Sequence, residues 1–225
     1  MFKFWKRNKP KAPAKGPEWL RAYFEHTIAI DQNAPSRDQD FAVIDLEATG
    51  LDTAKDKIIS FGFIPLRNFE IWPGKSFQCY IKQDYFDKET VPIHGILKDD
   101  IKDGLSEEDF LKSILPHLSG KVIVGHHVGY DIAMINQALQ RHYDTELINP
   151  FIDTGVLYKK AYPSKFIYNK YQSPIPSLDE IAMEFDIQTR DRHSAMGDAL
   201  TTAFIFMKLW RTAEENQEYT LKDLL

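Results

Sequence analysis

The chain has 225 residues, 43% of them hydrophobic and 27% charged, with 11 glycines and 12 prolines, a balance that fits one globular domain with an appendage and excludes a disordered or fibrous chain. No run approaches the ~18 consecutive apolar residues of a membrane span, the opening Met1-Phe-Lys-Phe-Trp-Lys-Arg lacks an apolar signal segment, and a cytoplasmic protein without a membrane contact is the expectation. The net charge is -5, but six of the 28 basic residues fall in residues 1–15, where no acid stands, leaving 22 basic against 33 acidic residues in the remainder. So acidic a body argues against a broad lysine- and arginine-lined phosphate surface, whereas metal ions held by the excess carboxylates could still attract a polyanion.

Residues 1–16, with Pro10, Pro13 and Gly16 among the lysines, read as a disordered basic tail. Pro17 suits the first position of a helix, and Trp19, Leu20, Tyr23, Phe24, Thr27 and Ile28 recur at helical spacing. The stretch Asp31 to Asp40 is a polar connection. Three short apolar runs follow, beginning at Phe41, Ile58 and Ser76, and their close spacing predicts an antiparallel meander. Ser106-Glu-Glu-Asp opens a capped helix, Lys121 to Gly125 reads as a buried strand and Ile132 to His142 as a helix. A strand near Phe151 and helices around Gly155–Tyr162, Leu178–Phe185 and Ala195–Thr212 complete an α/β plan with a mixed sheet. The single cysteine, Cys79, excludes an internal disulfide and a thiolate cluster, so a metal here must be held by oxygen or imidazole.

Four acids sit at element ends in apolar surroundings. Asp45 interrupts the most hydrophobic early strand, and Glu47, two residues on, projects from the same face. Such a pair is either a solvated outer face or a site for a hard divalent cation. Asp131 shares the core-facing stripe of Met134, Ile135, Ala138 and Leu139, though an aspartate there can equally serve a helix N-terminus. Asp198 stands among small and apolar residues early in the last helix, and His193 falls on the loop before it, with Ser194 as the cap. Ligand sites of α/β sheets gather where strands end and helices begin. Carboxylates meeting there would make a two-metal phosphodiesterase site.

Three segments carry a family resemblance. Val43-Ile-Asp-Leu-Glu-Ala-Thr-Gly-Leu, Gly125-His-His-Val-Gly-Tyr-Asp and His193-Ser-Ala-Met-Gly-Asp resemble, in order, the three motifs of the DEDDh, or DnaQ-like, exonucleases, a family that includes proofreading subunits of bacterial DNA polymerase III. The likeness runs from Phe41 to Trp210, with support at Val91-Pro-Ile-His-Gly-Ile, Phe151-Ile-Asp-Thr and Ser177-Leu-Asp-Glu-Ile-Ala. It implies a ribonuclease-H-like fold, a mixed five-stranded sheet flanked by helices, with residues 1–40 as basic tail plus amphipathic helix, 41–212 as the exonuclease domain and 213–225 as a short C-terminal tail. It further implies 3′-to-5′ release of nucleoside monophosphates with two Mg²⁺ or Mn²⁺ ions. By position, Asp45 resembles the carboxylate bridging both metals, Glu47 and Asp198 ligands of the catalytic metal, Asp131 a ligand of the second and His193 the general base. Ala48, Thr49, Gly50 and Leu51 resemble the segment holding the terminal nucleotide, with Leu51 against a base. His127 stands where Asn is frequent, Tyr130 where Phe is common and Ala48 where Thr is common; none of these departures removes a metal ligand.

The implied substrate is single-stranded or frayed-end DNA, in proofreading or repair, with a DNA polymerase as a candidate partner. An exoribonuclease trimming RNA or short oligoribonucleotides is the alternative, because sugar choice rests on contacts to the 2′-hydroxyl. A non-catalytic nucleic-acid or polymerase-binding module is the third reading, whose signature would be a lost carboxylate. Tyr130, Phe166, Tyr168 and Tyr171 are candidates for stacking on bases or for core packing. Lys159, Lys160, Lys165 and Lys170, interleaved with aromatics, either flank a substrate groove or form a solvated loop.

Overall fold

The structure is a computed structural model and describes residues 16–84, 91–169, 175–214 and 218–225. The basic stretch 1–15 expected as a tail, together with Lys170, Tyr171 and the side chain of Tyr168, lies outside the described residues. The chain runs α1 (Glu18–Ile28), β1 (Asp40–Ala48), β2 (Ile58–Arg67), β3 (Glu70–Ile71), β4 (Phe77–Tyr80), α2 (Val91–His94), α3 (Lys98–Ile101), α4 (Glu107–Leu118) and β5 (Val122–Gly125). It continues with α5 (Gly129–Tyr143), β6 (Phe151–Asp153), α6 (Thr154–Ala161), α7 (Leu178–Glu184), α8 (Ala195–Glu214) and α9 (Leu221–Leu224).

Among the described residues the sheet has six strands in the order β3-β2-β1-β5-β6, with β4 also paired to β2. β1, β2, β3 and β4 pair antiparallel, while β1, β5 and β6 run parallel. The mixed α/β sheet is the one expected, with six strands in place of five. The extra strand is the two-residue β3, returned along β2 by a tight turn in which Asn68 and Phe69 both take positive φ, 48° and 61°. Asn-Gly is the usual signal for such a hairpin; a bulky Phe in the left-handed region hides it.

Period-2 alternation along β1 sorts the core into two layers. Ala42, Ile44 and Leu46 face a cluster built with α1, α4 and α5, whereas Phe41 and Val43 face one built with α6, α7, α8 and α9. By the same alternation Asp45 and Glu47 point to the α8 side. In the first cluster α1 buries Leu20, Tyr23, Phe24 and Thr27. The Tyr23 hydroxyl donates to Asn149 Oδ1 at 2.5 Å and accepts from Ile148 N–H at 2.9 Å, so the aromatic stripe read from the sequence is anchored by its polar tip. Beyond α8, residues 218–225 do not trail away as the sequence suggested: Leu221 and Leu224 of α9 are buried in the second cluster. A helix of four residues is too short for its apolar period to show in the sequence.

The long α8 reaches the sheet because both surfaces are small where they meet. Gly62 pairs with Asp45 across the β1–β2 ladder, and a Cβ added there would stand 2.3 Å from the Ala195 carbonyl oxygen. Gly62→Ala is therefore expected to lift the start of α8 and cost about 1–3 kcal/mol. Gly74→Ala, where a Cβ meets nothing within 4 Å, is the control that should unfold at nearly the wild-type denaturant midpoint; equal midpoints for both variants would contradict the close approach.

Candidate active site

The β1–β5 register ends at Val43 and Val124, so β1 runs on past its parallel neighbour and its last residues border an open end of the sheet. Here the acids meet. Carboxylate oxygens of Asp45, Glu47 and Asp198 all lie within 4.8 Å of one another. Asp45 and Glu47 come from one face of β1, and Asp198 comes from the first turn of α8, which Gly62 admits. The register slips between Glu47 and Ala48, and such a bulge bends the strand end next to the cluster. Asp131, 5% exposed, enters from the first turn of α5, where the backbone N–H of Leu46, the residue between the two strand acids, favours its charged form. The helix begins at Gly129, three residues before the position expected from the apolar periodicity, which puts Asp131 inside it.

Four carboxylates this close repel. Burial first, then the charges of Asp131, Asp198 and Glu47, hold the Asp45 carboxyl well above the usual carboxylate range, against the opposing Arg192. Burial and Asp198 push Glu47 up to about 8. Burial raises Asp131 as well, against the backbone N–H bonds it accepts and together with the charges of Glu47 and Asp153. Asp198 is 8% exposed, and its Oδ1 has no hydrogen bond of acceptable geometry although Arg192 faces it as an ion-pair partner. Converging oxygen ligands with unspent lone pairs and excess negative charge fit hard divalent cations. Asp45, Glu47 and Asp198 could hold one ion, and Asp45 with Asp131 a second.

The loop before α8 is built around strained backbone. Asp191 and His193 both take positive φ, 50° and 61°, conformations that L-residues adopt at a cost and that cluster at functional sites. Ser194 caps the helix by accepting Gly197 N–H at 3.1 Å, and the His193 N–H donates to Asp198 Oδ2 at 3.3 Å. His193 is exposed beside the cluster. His127 is exposed too, at φ 55°. Its neighbour His126 is the partly buried one, held neutral by burial and by His127, with its pKa down at about 4 and Nδ1 2.9 Å from Thr154 Oγ1.

Ala48 ends β1, Thr49 is buried, and Gly50 leads to Leu51, which is 87% exposed. The Tyr130 hydroxyl donates to the Gly50 carbonyl. Of the proposed stacking aromatics, Phe166 packs against the second core cluster with the Lys159 ammonium over its ring at 5.1 Å. Lys165 lies over Tyr158 and Tyr162 and pairs with Glu184, so this part of the basic-aromatic segment is held by local contacts.

Arg192 and Asp179 are the residues that sequence reasoning missed. The Arg192 guanidinium takes Asp179 with Nε at 2.5 Å and Nη2 at 3.1 Å, and turns Nη1 to Asp198. Burial works against its charge, yet the hydrogen bonds to Asp179 and the negative charge of Asp198 outweigh it and raise its pKa. The signal was present as a cation next to the third motif's histidine, but nothing in the spacing reveals that α7 supplies its counterion.

The exonuclease family model RNase_T matches residues 42–206. The chain is 32% identical over 192 residues to the DNA polymerase III subunit epsilon of Aquifex aeolicus, covering 83% of this chain and 90% of that protein. It is 25% identical to the PolC-type DNA polymerase III of Pediococcus pentosaceus, of which it spans 13%. Among solved structures, Escherichia coli exonuclease I in complex with a dA16 oligonucleotide superposes with a TM-score of 0.64 at 20% identity, covering 83% of this chain and 42% of that one. Among the described residues no helix is long and apolar enough to cross a membrane. The chain belongs to the RNase_T exonuclease family, of the DnaQ-like DEDDh type.

Proposed function

We propose that the protein hydrolyses phosphodiester bonds from the 3′ end of DNA, releasing nucleoside monophosphates, with two Mg²⁺ or Mn²⁺ ions held by Asp45, Glu47, Asp131 and Asp198. The observation that carries the reading is the meeting of Asp45, Glu47 and Asp198 within 4.8 Å at an open sheet end, with the charge of Asp131 bearing on Asp45 from the first turn of α5. When bound, the ions supply acidification of the attacking water and a charge clamp on the scissile phosphate. Asp45, facing both Asp131 and Asp198, is the carboxylate suited to both ions. His193, exposed at the mouth of the cluster, takes the proton from the attacking water on its imidazole ring. Ala48, Thr49, Gly50 and Leu51 seat the terminal nucleotide, Leu51 against its base, and His127 and Tyr130 border the strand's entry.

A pocket that engages only a terminus needs little basic surface, in keeping with the acidic body. The Aquifex aeolicus relative is a DNA polymerase III subunit and the exonuclease I structure holds an oligonucleotide, which supports a DNA substrate and a polymerase partner in proofreading. Nucleotide release from a 3′-labelled strand with Mg²⁺ or Mn²⁺, on matched DNA and RNA oligomers, tests the proposal. Release should stop with chelator and be lost in Asp45→Ala, with DNA degraded faster than RNA. Equal release by wild type and variant would defeat the enzyme reading, and faster RNA loss would reverse the substrate assignment.

A further inference from the structure

The loop joining β1 to β2 presents the exposed Leu51 and yet is bonded at almost every residue. Thr49 N–H donates to the Lys57 carbonyl at 2.9 Å, and the Thr49 hydroxyl both accepts from Lys57 N–H at 3.0 Å and donates to Asp56 Oδ1 at 2.8 Å. Asp56 Oδ2 accepts Asp52 N–H at 2.8 Å, and Asp52 Oδ1 accepts Ala54 N–H at 3.0 Å. The Asp56 carboxylate lies so close under Gly50 that a Cβ there would stand 2.5 Å from Oδ2. A side chain at position 50 would have to push the Asp56 carboxylate off its bonds to Thr49 and Asp52, and the glycine there is the residue that orders at the greatest entropic cost.

Two side chains of α5 brace the loop from outside. The Tyr130 hydroxyl donates to the Gly50 carbonyl at 2.5 Å, and Gln137 Nε2 donates to the Thr53 carbonyl. These residues lie seven apart, two helical turns, and so share a face. Gln137 is itself held by Arg141, whose Nε and Nη2 donate to Glu107 at 2.9 and 2.6 Å. The turn of α5 that grips Gly50 therefore also carries Asp131 into the acidic cluster. A phenylalanine ring at 130 could pack on the first core cluster as Tyr130 does but would leave Gly50 untethered.

We propose that the Tyr130 hydroxyl is a positioning group: by fixing the Gly50 carbonyl to the first turn of α5, it holds Leu51 rigid at a set distance from the metal-binding carboxylates, so that the loop meets a strand terminus already ordered. This rests on the 3′-exonuclease reading and assigns Tyr130 a role through the loop in place of stacking on a base. Preordering of a binding loop lowers the cost of engagement, and the loss of one such hydrogen bond corresponds to about a three- to tenfold change.

Tyr130→Phe in the full chain tests it, with kcat and KM measured in Mg²⁺ on a single-stranded oligonucleotide and on a duplex with a paired 3′ end, and with amide hydrogen exchange followed over residues 49–57. The variant is expected to raise KM about three- to tenfold with a smaller fall in kcat, to lose more on the paired end, where the terminus must be unstacked, and to exchange faster at Gly50 and Leu51. A melting temperature close to wild type shows that the fold is kept. Unchanged KM and exchange in the variant, with wild type active, overturn the proposal alone, as does a fall in kcat at constant KM. Wild-type protein that releases no nucleotide with any divalent ion overturns the exonuclease reading and this proposal with it.

Discussion

Replacing His193 by glycine is expected to lower the rate of nucleotide release by about 10²–10⁴-fold, the usual contribution of a positioned general base, while leaving the fold intact. His193 is exposed and sits at φ 61°, a conformation glycine adopts freely. Alanine there would keep the strain of the left-handed backbone, so a rate loss in that variant would mix chemistry with a shifted loop. The glycine variant also leaves room where the ring stood, and added free imidazole should restore part of the rate in proportion to its concentration. Its melting temperature should match wild type within about 2 °C, since an exposed side chain away from the core contributes within about 0.5 kcal/mol. A variant that keeps the wild-type rate would remove His193 from the chemistry. A slow variant that imidazole does not rescue would make it a residue that shapes the loop through its N–H to Asp198.

Glu47→Gln is expected to trade activity for stability. The amide keeps the size of the side chain but loses the charge that a divalent ion needs, so release should fall by about a thousandfold. Metal-free stability should move the other way. Glu47 is pushed from 4.5 to about 8, by burial first and by Asp198 next. Between those values the folded protein keeps the proton and the unfolded chain has released it, so the metal-free fold loses stability as pH rises from 4.5 to about 8. Below that window both states are protonated and the contribution is fully present. Glutamine has no proton to lose: the slope of Tm against pH should flatten in the chelator-treated variant, and near pH 8 each recovered kcal/mol should raise Tm by about 2–4 °C. Added Mg²⁺ should stabilise wild type at that pH and do much less for the variant. Parallel Tm profiles for the two metal-free proteins would mean that Glu47 does not feel the neighbouring charges.

The three motifs were legible because the chemistry forces unusual residues into apolar runs: Asp45 in a buried strand, Asp131 on a core stripe and Asp198 among alanines and a glycine cannot be accounted for by hydrophobic patterning. The longer helices and the main strands followed from periodicity, since 3.6- and 2-residue repeats are local properties of the chain, whereas α2 and α3, of four residues each, are too short to show one. The sequence also placed Ser194 as the cap before α8, because a short hydroxyl ahead of a small-residue helix has few other uses. Other features are local in sequence yet muted. Phe69 disguised the β2–β3 hairpin, and the four-residue α9 is too short for its period to show.

What the sequence alone determined is therefore the set of carboxylates, their order and the elements that carry them. The tertiary structure decided what surrounds them. Arg192 reaches Asp198 only because α7 presents Asp179 beside it, Asp131 meets the strand acids because β1 outruns β5 and α5 starts beside its end, and Tyr130 grips Gly50 across 80 residues of chain. Each of these contacts depends on the relative placement of elements distant in sequence, a quantity set by packing of the whole core and carried by no local pattern.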